Sequence, residues 1–200
     1  KKVLLIIFGI GLIGFVSYIA YMKSQSQQSF LSPKANDTTN SPKRAVGFLP
    51  YWQLAEVNAE KLGHLSEIIY FGVYIDEEGN FVEKDSGGGL QAGLAKVKAG
   101  ALEDVQKETG TTTAISVALI LHDNEKIEQF LKNDTAQSNF VAHTLSLIEE
   151  RKLAGINLDF EYSGIPAKDT VDSFASFVST VSQTLKKKYP DFIVSVDITA

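Results

Sequence analysis

The sequence predicts an α/β fold built from repeated strand–helix units, and three observations carry that prediction. Short apolar runs recur along the chain: "AVGFLPYW" (45–52), "SEIIYFGVYI" (66–75), "TTTAISVALIL" (111–121), "AGINLDFEY" (154–162) and "FIVSVDIT" (192–199). They are almost continuously apolar, as strands of a parallel sheet buried on both faces are. Amphipathic helical patterns lie between them, and strand alternating with helix is the signature of βα units. Five such units fit an open doubly wound sheet. They also fit the first five units of a (β/α)8 barrel, which needs eight units and about 250 residues, so that under this reading the polypeptide continues.

The order of elements follows from local chemistry. Val3 to Met22, "VLLIIFGIGLIGFVSYIAYM", holds no charge. At ~1.5 Å per residue it is long enough to cross a ~30 Å hydrocarbon layer as a helix. Lys1 and Lys2 precede it and favour a cytoplasmic N-terminus. Residues 1–22 are therefore expected to be a transmembrane signal anchor. A cleaved signal peptide is the competing reading, and bulky Tyr18 two positions before Ala20 makes a poor cleavage site. Gly9, Gly11 and Gly14 spell GxGxxG, but no strand precedes them and the apolar run continues through them, so they read as small residues of a membrane helix. Residues 23–44 are rich in Ser, Gln, Asn, Thr and Pro and cannot bury enough apolar surface to fold, so they are expected to be a disordered linker. The folded domain is expected over 45–200, extracytoplasmic and tethered to the membrane, or secreted if the first segment is cleaved.

Within that domain Val171, Phe174, Val178, Val181 and Leu185 repeat at helical spacing. Lys186 to Lys188 then sit where cations favour the helix dipole, and Pro190 stops the helix. Leu90, Leu94, Val97, Leu102 and Val105 predict a looser helix, and Phe140, Leu145 and Ile148 a third.

Composition narrows the function. The chain of 200 residues is 44% hydrophobic and 22% charged, which is globular. A net charge of −5 argues against nucleic acid as the partner. With no cysteine there is no disulfide, thiolate zinc site or cysteine nucleophile. His64, His122 and His143 show no metal-ligand spacing, and Gly87 to Gly89 lack the Lys-Ser/Thr of a phosphate loop. No cofactor and no metal are expected.

The stretch "AGINLDFEYSG" (154–164) is the informative one. Side chains alternate along a strand, so Asn157, Asp159 and Glu161 share one face while Ile156, Leu158 and Phe160 share the other. Successive polar members are roughly 6.6 Å apart at Cα. Glu161 comes last, at the end of a parallel barrel strand where chemistry takes place. Two carboxylates this close in a low-dielectric setting resist double ionisation, so one keeps its proton toward neutral pH and can give it to a leaving oxygen. Acids at strand ends also cap helices or meet buried arginines, but the folded portion holds only Arg44 and Arg151, neither an obvious partner. Three successive inward polar positions are costly unless something uses them.

"GINLDFEY" resembles the signature of glycoside hydrolase family 18, the chitinases and endo-β-N-acetylglucosaminidases, which runs Asp-Gly-x-Asp-x-Asp-x-Glu. Gly155 matches its glycine, Asn157 its second acidic position, Asp159 its third and Glu161 its catalytic glutamate. The leading Asp is Ala154 here, and the usual Trp before the Glu is Phe160. "AVGFLPYW" and "YFGVYIDEEGN" are similar to the family's first two strands, whereas "SVALILHD" lacks the Ser-x-Gly-Gly of its third. The resemblance implies a TIM (β/α)8 barrel acting on N-acetylglucosamine-containing polysaccharide by a substrate-assisted retaining mechanism. In it, Glu161 is the proton donor, Asp159 orients the substrate's acetamide, and Asn157 hydrogen-bonds Asp159 from below.

Other residues are weighed beside these. Tyr51 and Trp52 follow the first strand and are candidates to stack on sugar, with packing against a loop equally expected. Phe71 is a candidate for the cleft floor. Tyr162 is expected to point into the core. Asp197 and His122 are weaker candidates, His122 being placed at the surface. A non-catalytic carbohydrate-binding barrel is the alternative function, and an unrelated open α/β domain with a structural carboxylate pair the third.

Overall fold

The computed structural model describes residues 43–110 and 112–198. Five strands, β1 (Val46–Pro50), β2 (Glu67–Tyr74), β3 (Ala114–Ile120), β4 (Gly155–Asp159) and β5 (Ile193–Val196), form one sheet. Every neighbouring pair is parallel, and the order in space is the order in sequence. The helices are α1 (Ala59–Leu62), α2 (Ala92–Lys98), α3 (Ala101–Thr109), α4 (Asn124–Leu131), α5 (Asp134–Arg151) and α6 (Lys168–Lys188), with a 3-10 turn at Tyr51–Glu56.

This order decides between the two α/β architectures. A doubly wound sheet reverses its strand order and carries helices on both faces. Here the order never reverses and the helices pack on one face only. Ile68, Tyr70, Val73, Val117, Leu119, Ile156 and Leu158 point outward into the helix-side core with Val97, Phe130, Phe140, Phe177, Val181 and Leu185. Phe130 and Phe177 meet edge to face with ring centres 5.0 Å apart, and Phe160 lies 5.6 Å from Phe130. Each such buried ring contributes on the order of 1.5–3 kcal/mol by burial. The opposite face has its own small cluster, Ile69, Ala118 and Ile120, flanked by Phe71 and Tyr74. One face of helices and one inner face is the wall of a (β/α) barrel.

A bulge sets the inner face of β2. The register shifts between Phe71 and Val73, so Phe71 pairs with Ala118 and Tyr74 with Ile120, and both face inward. Gly72 sits there at φ 150°, with Tyr51 Cδ1 only 2.7 Å from where a β-carbon would stand. Any side chain would push Tyr51 out of place. Gly155 has a similar role on β4: a β-carbon would lie 2.5 Å from Ser116 Oγ and 2.7 Å from Ile193 Cβ.

The helices differ from the sequence pattern at three points. The loose helix over Leu90–Val105 is two helices, α2 and α3, separated at Gly100 in the left-handed region. Helix α4 is not foreseen; Asp123 caps it by accepting from the Lys126 amide at 3.0 Å. In α6 the buried stripe is Phe177, Val181 and Leu185, and Val171 is 49% exposed. The apolar stripe is thus rotated by part of a turn, because Phe177 rather than Val171 reaches the phenylalanine cluster. Asn133, in a glycosylation sequon, is occupied as the cap of α5.

Among the described residues no helix is long and apolar enough to cross a membrane. The expected anchor at Val3–Met22, and all of the expected linker before Lys43, lie outside the described residues.

Candidate active site

Parallel pairing places residues of equal register on one face, so the inner face reads as rungs. At the lowest, Ile69, Ser116 and Gly155 align; above them Phe71, Ala118, Asn157 and Ser195; above those Tyr74, Ile120 and Asp159. Asp197 continues past β5, its amide bonded to the Leu158 carbonyl at 3.1 Å. Apolar residues fill the middle of this face, and polar groups gather at the C-terminal end.

There Asp159 and Glu161 converge. Asp159 is 2% exposed, and the Glu161 side chain is 49% exposed. Oxygens of both carboxylates and a nitrogen of His122 lie within 4.8 Å of one another. His122 Nε2 is 3.1 Å from Asp159 Oδ2, and its Nδ1 is 4.0 Å from Glu161 Oε2. The imidazole stands between the two acids with one nitrogen toward each. These three side chains are the set that could hold a metal, but the ring nitrogens already face the carboxylates, so the cluster is organised for sharing protons.

The sequence places His122 at the surface; the structure instead brings it, 37% exposed, to the carboxylate pair. It follows β3 directly, and Leu121 extends the β3–β4 pairing by donating to the Asp159 carbonyl at 2.9 Å. A residue just past the end of the neighbouring strand therefore arrives beside Glu161.

Asn157 is also arranged otherwise than expected. Its Nδ2 donates to Ser195 Oγ at 3.1 Å and to Asp197 Oδ1 at 3.0 Å, and Asp159 is held by His122 instead. Asp197 thus joins the polar group through Asn157. Among the described residues, Asn157 Oδ1 and Asp159 Oδ1 are buried side-chain oxygens without a hydrogen-bond partner. A buried unpartnered acceptor costs roughly 1–3 kcal/mol.

Burial holds the Asp159 carboxyl above the usual carboxylate range. The charge and hydrogen bond of His122 pull it back down, while Asp197 and Glu161 push it further up. Burial likewise raises the Tyr74 phenol, with Tyr51 and Asp159 adding to the effect, which places Tyr74 at the site's edge.

The aromatic candidates flank this end. Trp52 is 58% exposed; its ring meets Phe71 edge-on at 6.2 Å and Tyr51 at 4.9 Å. Tyr51 is engaged elsewhere too, with Lys96 Nζ 5.6 Å from its ring centre and bonded to its carbonyl at 2.9 Å. A cavity of about 460 Å3 opens beside His122 between Tyr51, Tyr74, Lys84, Gln91 and Lys126. A hollow of about 530 Å3 at the opposite end of the sheet, between Leu153, Tyr189 and Phe192, is lined by no buried polar group. Tyr162 points away, donating to Glu128 Oε1 at 2.7 Å, as expected of it. The arginines also stay clear: Arg44 pairs with Glu67 at 2.9 Å and Arg151 with Glu103 at 3.3 Å.

No family model matches the chain. Over 134 residues, 63% of its length, it is 31% identical to a flagellin of Escherichia coli O127:H6 (strain E2348/69 / EPEC), and it covers 24% of that protein. Its backbone is similar to those of solved glycosidases. A chitinase from Bacteroides thetaiotaomicron gives a TM-score of 0.63 at 14% identity, over 79% of this chain and 47% of that one. A GH18 chitinase mutant from Cycas revoluta in complex with (GlcNAc)4 gives 0.58 at 12% identity, over 78% and 46%. The Bacillus cereus spore cortex-lytic enzyme SleL gives 0.58 at 13% identity, over 78% and 35%. At these identities the likeness is one of fold, and the chain spans less than half the length of each solved chain.

Proposed function

We propose that the chain carries the acid-bearing part of a chitinase-like glycosidase that cleaves β-1,4 bonds beside N-acetylglucosamine. The observation that carries this reading is the convergence of Asp159 and Glu161 at the C-terminal end of β4, in a barrel wall of the chitinase fold, with one Asp159 oxygen buried and unpartnered. Adjacent inward residues of one strand lie on the same side of a bound sugar, a poor arrangement for an acid and an opposing nucleophile. It suits an acid beside a group that clamps the substrate's own nucleophile.

In this mechanism Glu161 gives its proton to the glycosidic oxygen as the bond to the anomeric carbon breaks. The acetamide carbonyl oxygen of the same sugar forms the new bond to that carbon, giving a cationic oxazolinium ring. Asp159 Oδ1, free of other partners, accepts from the acetamide N–H and offsets the positive charge. Glu161, now ionised, takes a proton from an incoming water as its oxygen attacks the anomeric carbon. The ring reopens and the β configuration is retained. Trp52, Tyr51 and Phe71 offer aromatic faces for the sugar rings. The apolar run at Val3–Met22 would hold this machinery at the outer face of a membrane, which favours envelope glycan, peptidoglycan or chito-oligosaccharide as substrate.

The test is Glu161→Gln in the full chain, assayed on N-acetylglucosamine oligomers. Loss of the general acid is expected to lower kcat by about 10²–10⁴-fold, with the thermal midpoint unchanged. Full activity in the variant would overturn the assignment. Binding of oligomers without hydrolysis by the unaltered chain would identify a carbohydrate-binding barrel instead.

A further inference from the structure

We propose that His122 is a positioning residue whose ring is held in one tautomer, Nε2–H, and that this tautomer sets the protonation of the two carboxyls on either side of it. The contact at 3.1 Å between Nε2 and Asp159 Oδ2 is a hydrogen-bond distance, and an ionised carboxylate can only accept, so Nε2 carries the hydrogen. In a neutral imidazole the other nitrogen then carries a lone pair. That nitrogen, Nδ1, faces Glu161 Oε2 at 4.0 Å.

The consequence differs for the two acids, and for Glu161 it rests on the glycosidase reading above. Asp159 receives a donor and is favoured as a carboxylate, the form that can accept an acetamide N–H. Glu161 meets a lone pair, which disfavours an ionised oxygen and favours a proton on Oε2, the form a general acid needs. One ring thus pushes two neighbouring carboxyls toward opposite protonation states. Buried polar pairing does the same work in other acid sites through a second carboxylate; here Asn157 fills that strand position and bonds away, to Ser195 and Asp197.

Other charged groups near the ring are engaged or more distant. Lys126 is paired with Glu77 at 2.7 Å, and the Asp123 carboxylate caps α4. Asp85 is taken up by the amides of Gly87 and Gly89. Lys84 and the phenols of Tyr51 and Tyr74 line the cavity beside the ring. Among the described residues only Asp159 and Glu161 come within 4.0 Å of its nitrogens as ion-pair partners.

The test separates this inference from the glycosidase reading. Long-range 1H–15N correlation on the 15N-labelled full chain reports which nitrogen of each of the 3 histidines bears the hydrogen. His122→Gln identifies the signal. At a pH where the ring is neutral, the Nε2–H tautomer is expected in the wild type, and its preference is expected to fall to that of a free histidine in Asp159→Ala. An Nδ1–H ring in the wild type, or an unchanged preference in Asp159→Ala, would overturn the proposal whether or not the chain hydrolyses any glycan. In the oligomer assay, His122→Leu is expected to lose roughly 10–100-fold in kcat. His122→Gln, whose amide still donates to Asp159, is expected to regain most of it. Equal loss in both variants would contradict a role for the donor.

Discussion

Two buried carboxylates lie on the same inner face of the sheet, at its two ends, and they are treated differently. Glu67, at the N-terminal end of β2, is 3% exposed and fully engaged. Ser116 Oγ donates to its Oε1 at 2.5 Å and the Arg44 guanidinium to its Oε2 at 2.9 Å. Asp159, at the C-terminal end of β4, is buried as deeply, yet His122 is its one side-chain partner and Oδ1 has none among the described residues. A carboxylate kept for structure has both oxygens answered. One kept for a ligand leaves an oxygen open and bears the cost until the ligand arrives.

The largest effect that would sharpen this contrast is expected in Asp159→Asn. Loss of the negative charge opposite the oxazolinium is expected to lower kcat by at least about 10²-fold, read in the oligomer assay. Its stability should move the other way. Burial raises the Asp159 carboxyl, so the folded state binds that proton more tightly than the unfolded chain does. The stabilisation is full below the unfolded value of about 4 and is lost as pH rises through the higher folded value. Asn does not titrate. The variant should therefore melt a few degrees higher than wild type at pH 7 and show a smaller gain at pH 4, by calorimetry. A lower melting temperature at pH 7 would break the comparison.

A smaller effect, of opposite kind, is expected at the other end. Glu67→Gln leaves the Arg44 guanidinium without its charge partner and is expected to cost about 1–3 kcal/mol. Arg44 is 52% exposed, so water limits that cost. Denaturant unfolding measures it. Activity per folded molecule should not change, and a loss of kcat there would erase the distinction between the two ends.

Both ends were partly legible from the residues alone. The strands announce themselves as apolar runs, and alternation along "GINLDFEY" places Asn157, Asp159 and Glu161 on one face without any structure. What depends on neighbours in space is not written in a single strand. His122 reaches Asp159 because β3 pairs with β4 in the register Ile120↔Asp159, and nothing in "LILHD" states that register. The available signal is positional: a titratable residue directly after a strand predicted to adjoin the acid strand. Glu67 looks like a surface charge at a strand start, and Arg44 like the last residue of the linker, until the fold joins them across 23 positions. Helix α4 escapes because an eight-residue helix shows too few turns for its period to stand out, although Asp123 offers a capping signal.

The central claim is that the open oxygen of Asp159 serves the substrate's acetamide while Glu161 supplies the proton. It is tested most directly by comparing hydrolysis of an N-acetylglucosamine oligomer with that of the same oligomer stripped of its acetyl groups, using the full chain. The account predicts turnover of the acetylated oligomer, with the β-anomer released first, and no turnover of the stripped one. Equal cleavage of both, or release of the α-anomer, would contradict it.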